Sequence, residues 1–260
     1  MKPHLKITAC LAVAAFAAMT GCSNSSAPHA TTSAAAPAPS YFKVDPATAG
    51  SVSGSIHYKG PRPRRKAVDM SNEPACVDAN HGKVYEDSLV VGPTHGLADA
   101  FVYIEKGLEG KTFASPQAPV IIDQKGCWFR PHVLGVQTGQ TLQIVNSDQV
   151  THNIHPMPKL NREWNHTQGP GDPPMIHKFP KPEVMVPVKC NIHGWMHAYI
   201  GVLDHPYFTV TGEDGKFTIA NLPPGTYTLA VWTQTLGTQQ QTITVPARGS
   251  AKADFTFQGK

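Results

Sequence analysis

The chain has 260 residues, with 22 Lys and Arg against 18 Asp and Glu, for a formal charge of +4 when its 13 histidines are neutral. That near-balance excludes a nucleic-acid binder driven by basic patches, since Arg62, Arg64, Arg65 and Lys66 form only a short cluster broken by Pro63. With 24 prolines and 22 glycines the composition disfavours long helices and predicts an all-β fold of one large or two small domains.

In chain order, residues 1–21 read as a signal peptide: Lys2 and Lys6 precede an apolar run over residues 7–19 that is too short to span a bilayer. Ala18-Met19-Thr20-Gly21-Cys22 resembles a bacterial lipobox, which implies cleavage before Cys22 and lipidation of that cysteine. Cleavage of an ordinary secretory peptide near Ala18 is the alternative. Both predict export, and Ser23 after the cysteine points to an outer-membrane lipoprotein facing the periplasm. Residues 22–49 then form the lipidated cysteine and a flexible linker of Ala, Ser, Thr and Pro, with too few large apolar side chains to fold.

The first predicted strand spans residues 50–60, apolar in alternation before a Gly-Pro turn. Residues 88–91 and 98–105 read as further strands. After Cys127-Trp128-Phe129 and Pro131, a strand, a turn at Gly139 and a second strand at 141–145 lead to the polar tip Asn146-Ser147-Asp148 and then to His152-Asn153. The strand-like run 184–189 ends in Cys190-Asn191-Ile192-His193-Gly194-Trp195-Met196. A strand follows at 197–204. Beyond it, Asp214-Gly215 and Pro223-Pro224-Gly225 separate short alternating strands up to Val245.

A thiolate, an imidazole and a thioether spaced C-x2-H-x2-M converge on one soft metal if the loop is tight, and His152 offers the second imidazole. The set His152, Cys190, His193 and Met196 is a His2Cys arrangement with a weak axial Met, suited to one copper ion cycling between Cu(I) and Cu(II). His155 is the rival to His152. Thioether is a poor zinc ligand, so zinc is disfavoured. A binuclear centre would need a second cysteine where Gly194 stands, and no His-x-His pair supports a multicopper oxidase. Of the cysteines left after export, Cys76 and Cys127 are assigned to a disulfide and Cys190 to the metal, although three cysteines allow two other pairings. His132, His57, His81, His95 and His205 read as surface or turn histidines.

The order from Gly126 to Asp148, joined to Cys190, His193 and Met196, resembles the cupredoxin family of blue-copper proteins over residues 114–206. The resemblance implies a Greek-key β-sandwich, gives Asn153 the role of steadying the ligand loop, and implies outer-sphere electron transfer through the edge of His193. Trp195 beside it shields the site or is plain apolar cover. Asp214-Gly215-x-Phe217-x-Ile219 and Leu222-Pro223-Pro224-Gly225-x-Tyr227-x-Leu229 resemble the carboxypeptidase regulatory-like domain, a small transthyretin-like β-sandwich. Its usual opening resembles Gly50-Ser51-Val52-Ser53-Gly54-Ser55-Ile56, which predicts a discontinuous sandwich, residues 50–113 plus 207–257, interrupted by the cupredoxin unit. A separate C-terminal domain is the alternative.

The expected function is that of a mononuclear copper electron carrier and not an enzyme, since no Ser-His-Asp or paired-carboxylate constellation stands out. Its expected partners are the membrane, through the lipid, and a redox protein such as a c-type cytochrome or a periplasmic oxidoreductase. A copper carrier or sensor is the alternative, with His155, Met157, Met175 and His177 as an accessory patch.

Overall fold

The structure, a computed structural model, describes residues 40–259. The expected signal peptide, the lipidation at Cys22 and most of the linker lie outside the described residues. The fold is all-β, with one helix of seven residues among the described residues.

The first half of the chain contains β1 (Gly50–Lys59), β2 (Ala67–Val68), α1 (Pro74–Asn80), β3 (Val84–Tyr85), β4 (Phe101–Lys106), β5 (Val120–Gln124), β6 (Phe129–Arg130), β7 (Val133–Gln137) and β8 (Leu142–Asn146). Next come β9 (His152–Pro156), β10 (His166–Gln168), β11 (Met175–His177), β12 (Glu183–Lys189) and β13 (His197–Leu203). The chain finishes with β14 (Phe208–Val210), β15 (Lys216–Leu222), β16 (Gly225–Thr233), β17 (Gly237–Val245), β18 (Ser250–Lys252) and β19 (Phe255–Gln258).

The period-two pattern of β1 turns Val52, Ile56 and Tyr58 to one buried face. The strand pairs antiparallel with β15 and parallel with both β18 and β19, so a segment from the start of the chain lies at the centre of a sheet made otherwise from its end. Gly54 has no room for a side chain, because a Cβ there would meet the carbonyl of Ala253. The facing sheet runs β14-β4-β16-β17, and the two enclose a core that includes Leu97, Val102, Ile104, Phe217, Leu229, Val231 and Phe257. Two expected strands are corrected. Residues 88–91 form no strand, and Val91 makes only an isolated bridge to Leu97 around a turn closed by Gly92 N–H donating to Gly96 O at 2.9 Å. The strand expected from 98 starts at Phe101, since Asp99 sits at a left-handed φ of 56° that ends any extended run.

The second sandwich packs the sheet β10-β9-β12-β13-β7 on the sheet β11-β8-β5-β6. Its core joins Ile122, Phe129, Leu142, Ile144, Ile154 and Ile200 to Cys190 and Met196. The turn at Gly139, with φ 75°, carries the chain from β7 in one sheet to β8 in the other.

Where the sandwiches meet, Gly135 and Gly201 lie opposite each other on the parallel pair β7–β13 and leave a slot for the ring of Phe101 from β4. Phe101, Tyr103, Val133, Met185, Leu203 and Ala230 close this seam. The excursion between β1 and β4 reaches over one end of the second sandwich. There α1 is tied down by the Cys76–Cys127 disulfide, and Met70, Cys76, Cys127 and Trp128 form a small apolar cap with Trp195 against it.

Candidate metal centre

The loop between β12 and β13 is closed by its own main chain. The N–H of Cys190 donates to Met196 O at 3.0 Å, the N–H of Met196 donates to His193 O at 2.9 Å, and the N–H of His193 donates to Cys190 Sγ at 3.4 Å. Asn153, next to His152 at the start of β9, accepts the N–H of Asn191 on its Oδ1 at 2.7 Å and so binds the loop to the neighbouring strand. These constraints turn Cys190 and His193 inward, where His152 already points from β9. Donor atoms of the three residues lie within 4.8 Å of one another, and the side chains are all but fully buried. Met196 is buried in the same core cluster as Cys190.

Hydrogen-bond accounting fixes the lone pair of His152. Nε2–H of His152 donates to Asp148 Oδ2 at 2.8 Å, so a neutral ring presents Nδ1 as an acceptor. His193 turns Nε2 toward the Cys76 sulfur at 3.9 Å and its Nδ1 toward His152 Nδ1, only 2.9 Å away. A hydrogen on His193 Nδ1 bridges the two nitrogens in the metal-free chain, and a metal ion takes its place when both rings present lone pairs. Cys190 Sγ completes the set 3.8 Å from His193 Nδ1. Bond lengths of about 2.0–2.1 Å to nitrogen and about 2.3 Å to sulfur, in a trigonal set, require donors about 3.5 Å and about 3.8 Å apart. The sulfur–nitrogen spacing meets this already, and the two rings need to part by roughly half an ångström. The donors therefore fit a soft-to-borderline metal such as copper.

The electrostatics agree. Burial opposes ionisation of Cys190, but hydrogen bonding with His152 and with the backbone at Asn153, His193 and Ile192 outweighs it and holds the thiol below its ordinary pKa. Burial likewise opposes charge on His152, yet Asp148 and Cys190 prevail and raise its pKa. His193 is held low by burial and by the neighbouring His152. The carboxylate of Asp148 also resists its burial, accepting from His152 and from the backbone N–H groups of Cys127 and Gly126.

His155 is not part of this cluster. Its Nε2 lies 2.6 Å from Glu163 Oε1 and its Nδ1 3.3 Å from Asn191 Oδ1, on the outer side of β9. Trp195 is half-buried, with its ring 5.3 Å from that of His193 and its indole N–H donating to Cys127 O at 3.1 Å. His193 is 1% exposed, because α1 and the Cys76 sulfur cover it. Two of the five expected surface histidines are corrected. His132 lies in the seam between the sandwiches, and His205 is buried with its Nε2 donating to Ile104 O at 3.0 Å. The sequence reading left Asp148 as a polar tip. A carboxylate four residues ahead of a candidate ligand histidine was the available signal, since ligating imidazoles commonly donate their other N–H to a carboxylate.

A family model, carboxypeptidase regulatory-like domain, matches residues 197–258. Among solved structures the chain is similar to a copper-containing nitrite reductase from Thermus scotoductus, with 23% identity over 39% of this chain and 25% of that chain, at a TM-score of 0.32. It is also similar to a purple cupredoxin from Nitrosopumilus maritimus, with 23% identity over 33% of this chain and 99% of that one, at a TM-score of 0.28. Amicyanin from Paracoccus versutus matches at 16% identity over 39% of this chain and 96% of its own, at a TM-score of 0.28. The chain thus spans about a quarter of the reductase it matches and nearly all of the two small cupredoxins. No curated protein matches the chain.

Proposed function

We propose that this chain is an exported copper protein that holds one ion between His152, Cys190, His193 and Met196 and carries single electrons. The observation that carries the reading is the convergence of His152 Nδ1, His193 Nδ1 and Cys190 Sγ in the buried interior. Bound copper supplies a one-electron Cu(II)/Cu(I) couple that thiolate and imidazole ligands make accessible. The protein's part is to keep these ligands fixed. Asp148 sets the tautomer of His152, Asn153 holds the ligand loop, and a rigid sandwich core surrounds Cys190 and Met196. Little has to move when charge changes, which favours a carrier over a catalyst.

In the same proposal the discontinuous sandwich, residues 50–113 with 207–257, is the platform from which the 114–206 unit presents the site. Lipid on Cys22 and the linker hold both at the cell envelope. The electron partner is a c-type cytochrome or a periplasmic oxidoreductase, which meets the capped end of the site where Trp195 and the Cys76–Cys127 disulfide lie over His193.

The test is an optical and spin-resonance spectrum of the copper-loaded protein. Thiolate-to-Cu(II) charge transfer gives an intense visible colour that disappears in Cys190→Ser and survives in His155→Ala. A colourless Cu(II) form, or colour that persists in Cys190→Ser, overturns the reading.

A further inference from the structure

A second group of metal-binding side chains lies apart from this centre, at the seam between the sandwiches. Asp87 comes from the excursion before β4, His132 from the residue just before β7, and His197 from the first position of β13. Donor atoms of these three lie within 4.8 Å of one another. Gln234, in the turn between β16 and β17, reaches in from the other sandwich, and Asp99 lines the same cavity.

While both rings are neutral, the hydrogen bonds in this cluster do not close. Nδ1 of His132 lies 3.2 Å from the carbonyl oxygen of His197, and Nδ1 of His197 lies 2.8 Å from that of Trp195. A carbonyl only accepts, so each Nδ1 carries the hydrogen and each neutral ring offers Nε2 as a lone pair. Both lone pairs face one amide: Gln234 places Oε1 2.7 Å from His132 Nε2 and its Nε2 3.3 Å from His197 Nε2. An amide has one donating and one accepting end, so whichever way it turns it satisfies one ring and confronts the other. Asp87 adds a second deficit. Its Oδ2 accepts from Arg130 at 2.8 Å, but its Oδ1 is buried without a hydrogen-bond partner, 3.5 Å from His132 Nδ1. Asp87 itself is 8% exposed and His132 is 4% exposed. The neutral cluster therefore leaves one imidazole Nε2 without a donor and one buried carboxylate oxygen without a partner, a shortfall of positive charge that a cation supplies.

We propose that His132, His197 and Asp87, with the carbonyl end of Gln234 beside them, bind a borderline divalent cation, Zn(II) or Cu(II). Two imidazoles with oxygen donors select such ions over Mg(II) or Ca(II), which prefer all-oxygen shells. The absence of any sulfur donor from the set sets it apart from the thiolate centre, which favours Cu(I). Because its ligands come from both sandwiches, the ion also clamps one to the other.

The test counts ions on the full chain with the thiolate centre disabled by Cys190→Ser and His193→Ala. After loading with Zn(II) and dialysis against a weak chelator, elemental analysis gives one ion per chain, and the further substitution His197→Ala removes it. Cu(II) in its place gives an axial spin-resonance spectrum with splitting from imidazole nitrogen. A disabled chain that unfolds cooperatively but retains no ion overturns the proposal, as does an ion that survives His197→Ala. Should the disabled chain not fold, the unmutated protein decides. First saturated with Cu(I), it takes up one Zn(II) and the His197→Ala variant takes up none; equal uptake by the two overturns the site.

Discussion

The Cys76 sulfur lies 3.9 Å from Nε2 of His193, so the outer edge of that imidazole is closed by a disulfide and not by solvent. This relationship ties the excursion before β4 to the candidate metal centre, which the bridge covers as well as staples. Replacing both cysteines in Cys76→Ser/Cys127→Ser opens a loop with a sequence separation of 51 residues. On the chain-entropy relation this removes about 4 kcal/mol of stability. Urea unfolding monitored by tryptophan fluorescence measures it. In the copper-loaded variant a small outer-sphere reagent exchanges electrons faster than with the intact protein. An unchanged rate in stopped-flow would mean that electrons enter by another face.

Asp148 fixes the ring of His152 while also accepting two backbone N–H groups from the turn that holds Cys127. Asp148→Asn keeps the shape but removes the negative charge that makes Nδ1 of His152 basic. Copper affinity falls roughly 10–100-fold, the usual effect of losing the outer partner of a ligating histidine. Competition titration with a chromophoric chelator measures this, and the Cys190 charge-transfer colour remains in the loaded variant.

The candidate ligand residues could be picked out in the sequence because local spacing carries them. Cys190, His193 and Met196 sit within one loop, and His152 follows a turn rich in polar residues. The β1 strand was legible for a similar reason, its alternation being local. Of the site's surroundings, the Cys76–Cys127 bridge and the hold of Asn153 on the loop were expected, but the cap over His193 was not. The cap over His193 depends on a disulfide closing between Cys76 and Cys127, and nothing near either cysteine indicates that α1 folds back onto the ligand loop. The strand expected at 88–91 failed because composition there is apolar while the following Gly92-Pro93 dictates a turn. His132 and His197 are far apart in the chain and each looks ordinary. Their meeting at Gln234 exists only once β7 and β13 pair in parallel and β16 crosses behind them.

The ionisation of Cys190 gives the metal-free protein a pH dependence. Burial disfavours the thiolate, but hydrogen bonding with His152 and the backbone prevails, so its folded pKa lies below the ordinary thiol value of 9.0. A depressed pKa contributes stability that is complete above the unfolded value and is lost as pH falls through the folded one. The difference in unfolding free energy between the native chain and Cys190→Ser therefore widens as pH rises toward 9.0. Thiolate absorbance in the ultraviolet, taken as the difference between the two proteins, titrates below that value. His152→Ala moves the midpoint upward, and a midpoint unaffected by His152→Ala would disprove the coupling.

The seam offers a test that leaves the candidate ligands untouched. A Cβ at Gly201 would lie 2.4 Å from Cζ of Phe101 and 2.7 Å from Cε of Met185, and one at Gly135 would lie 2.3 Å from Cε2 of Phe208. Met185 has a flexible end that can shift, but the ring of Phe101 is fully buried and stacked on Phe208 with centroids 5.7 Å apart, so it has nowhere to turn. Gly201→Ala therefore forces the two sandwiches apart or drives Phe101 from its rotamer, at a cost of about 1–3 kcal/mol for an overpacked core. The clash is with one ring, so Gly201→Ala combined with Phe101→Leu regains part of the loss, and the double-mutant cycle shows coupling well above that of distant sites. Thermal unfolding of the four proteins measures it. Strictly additive effects would mean that the glycine pair is not what seats Phe101.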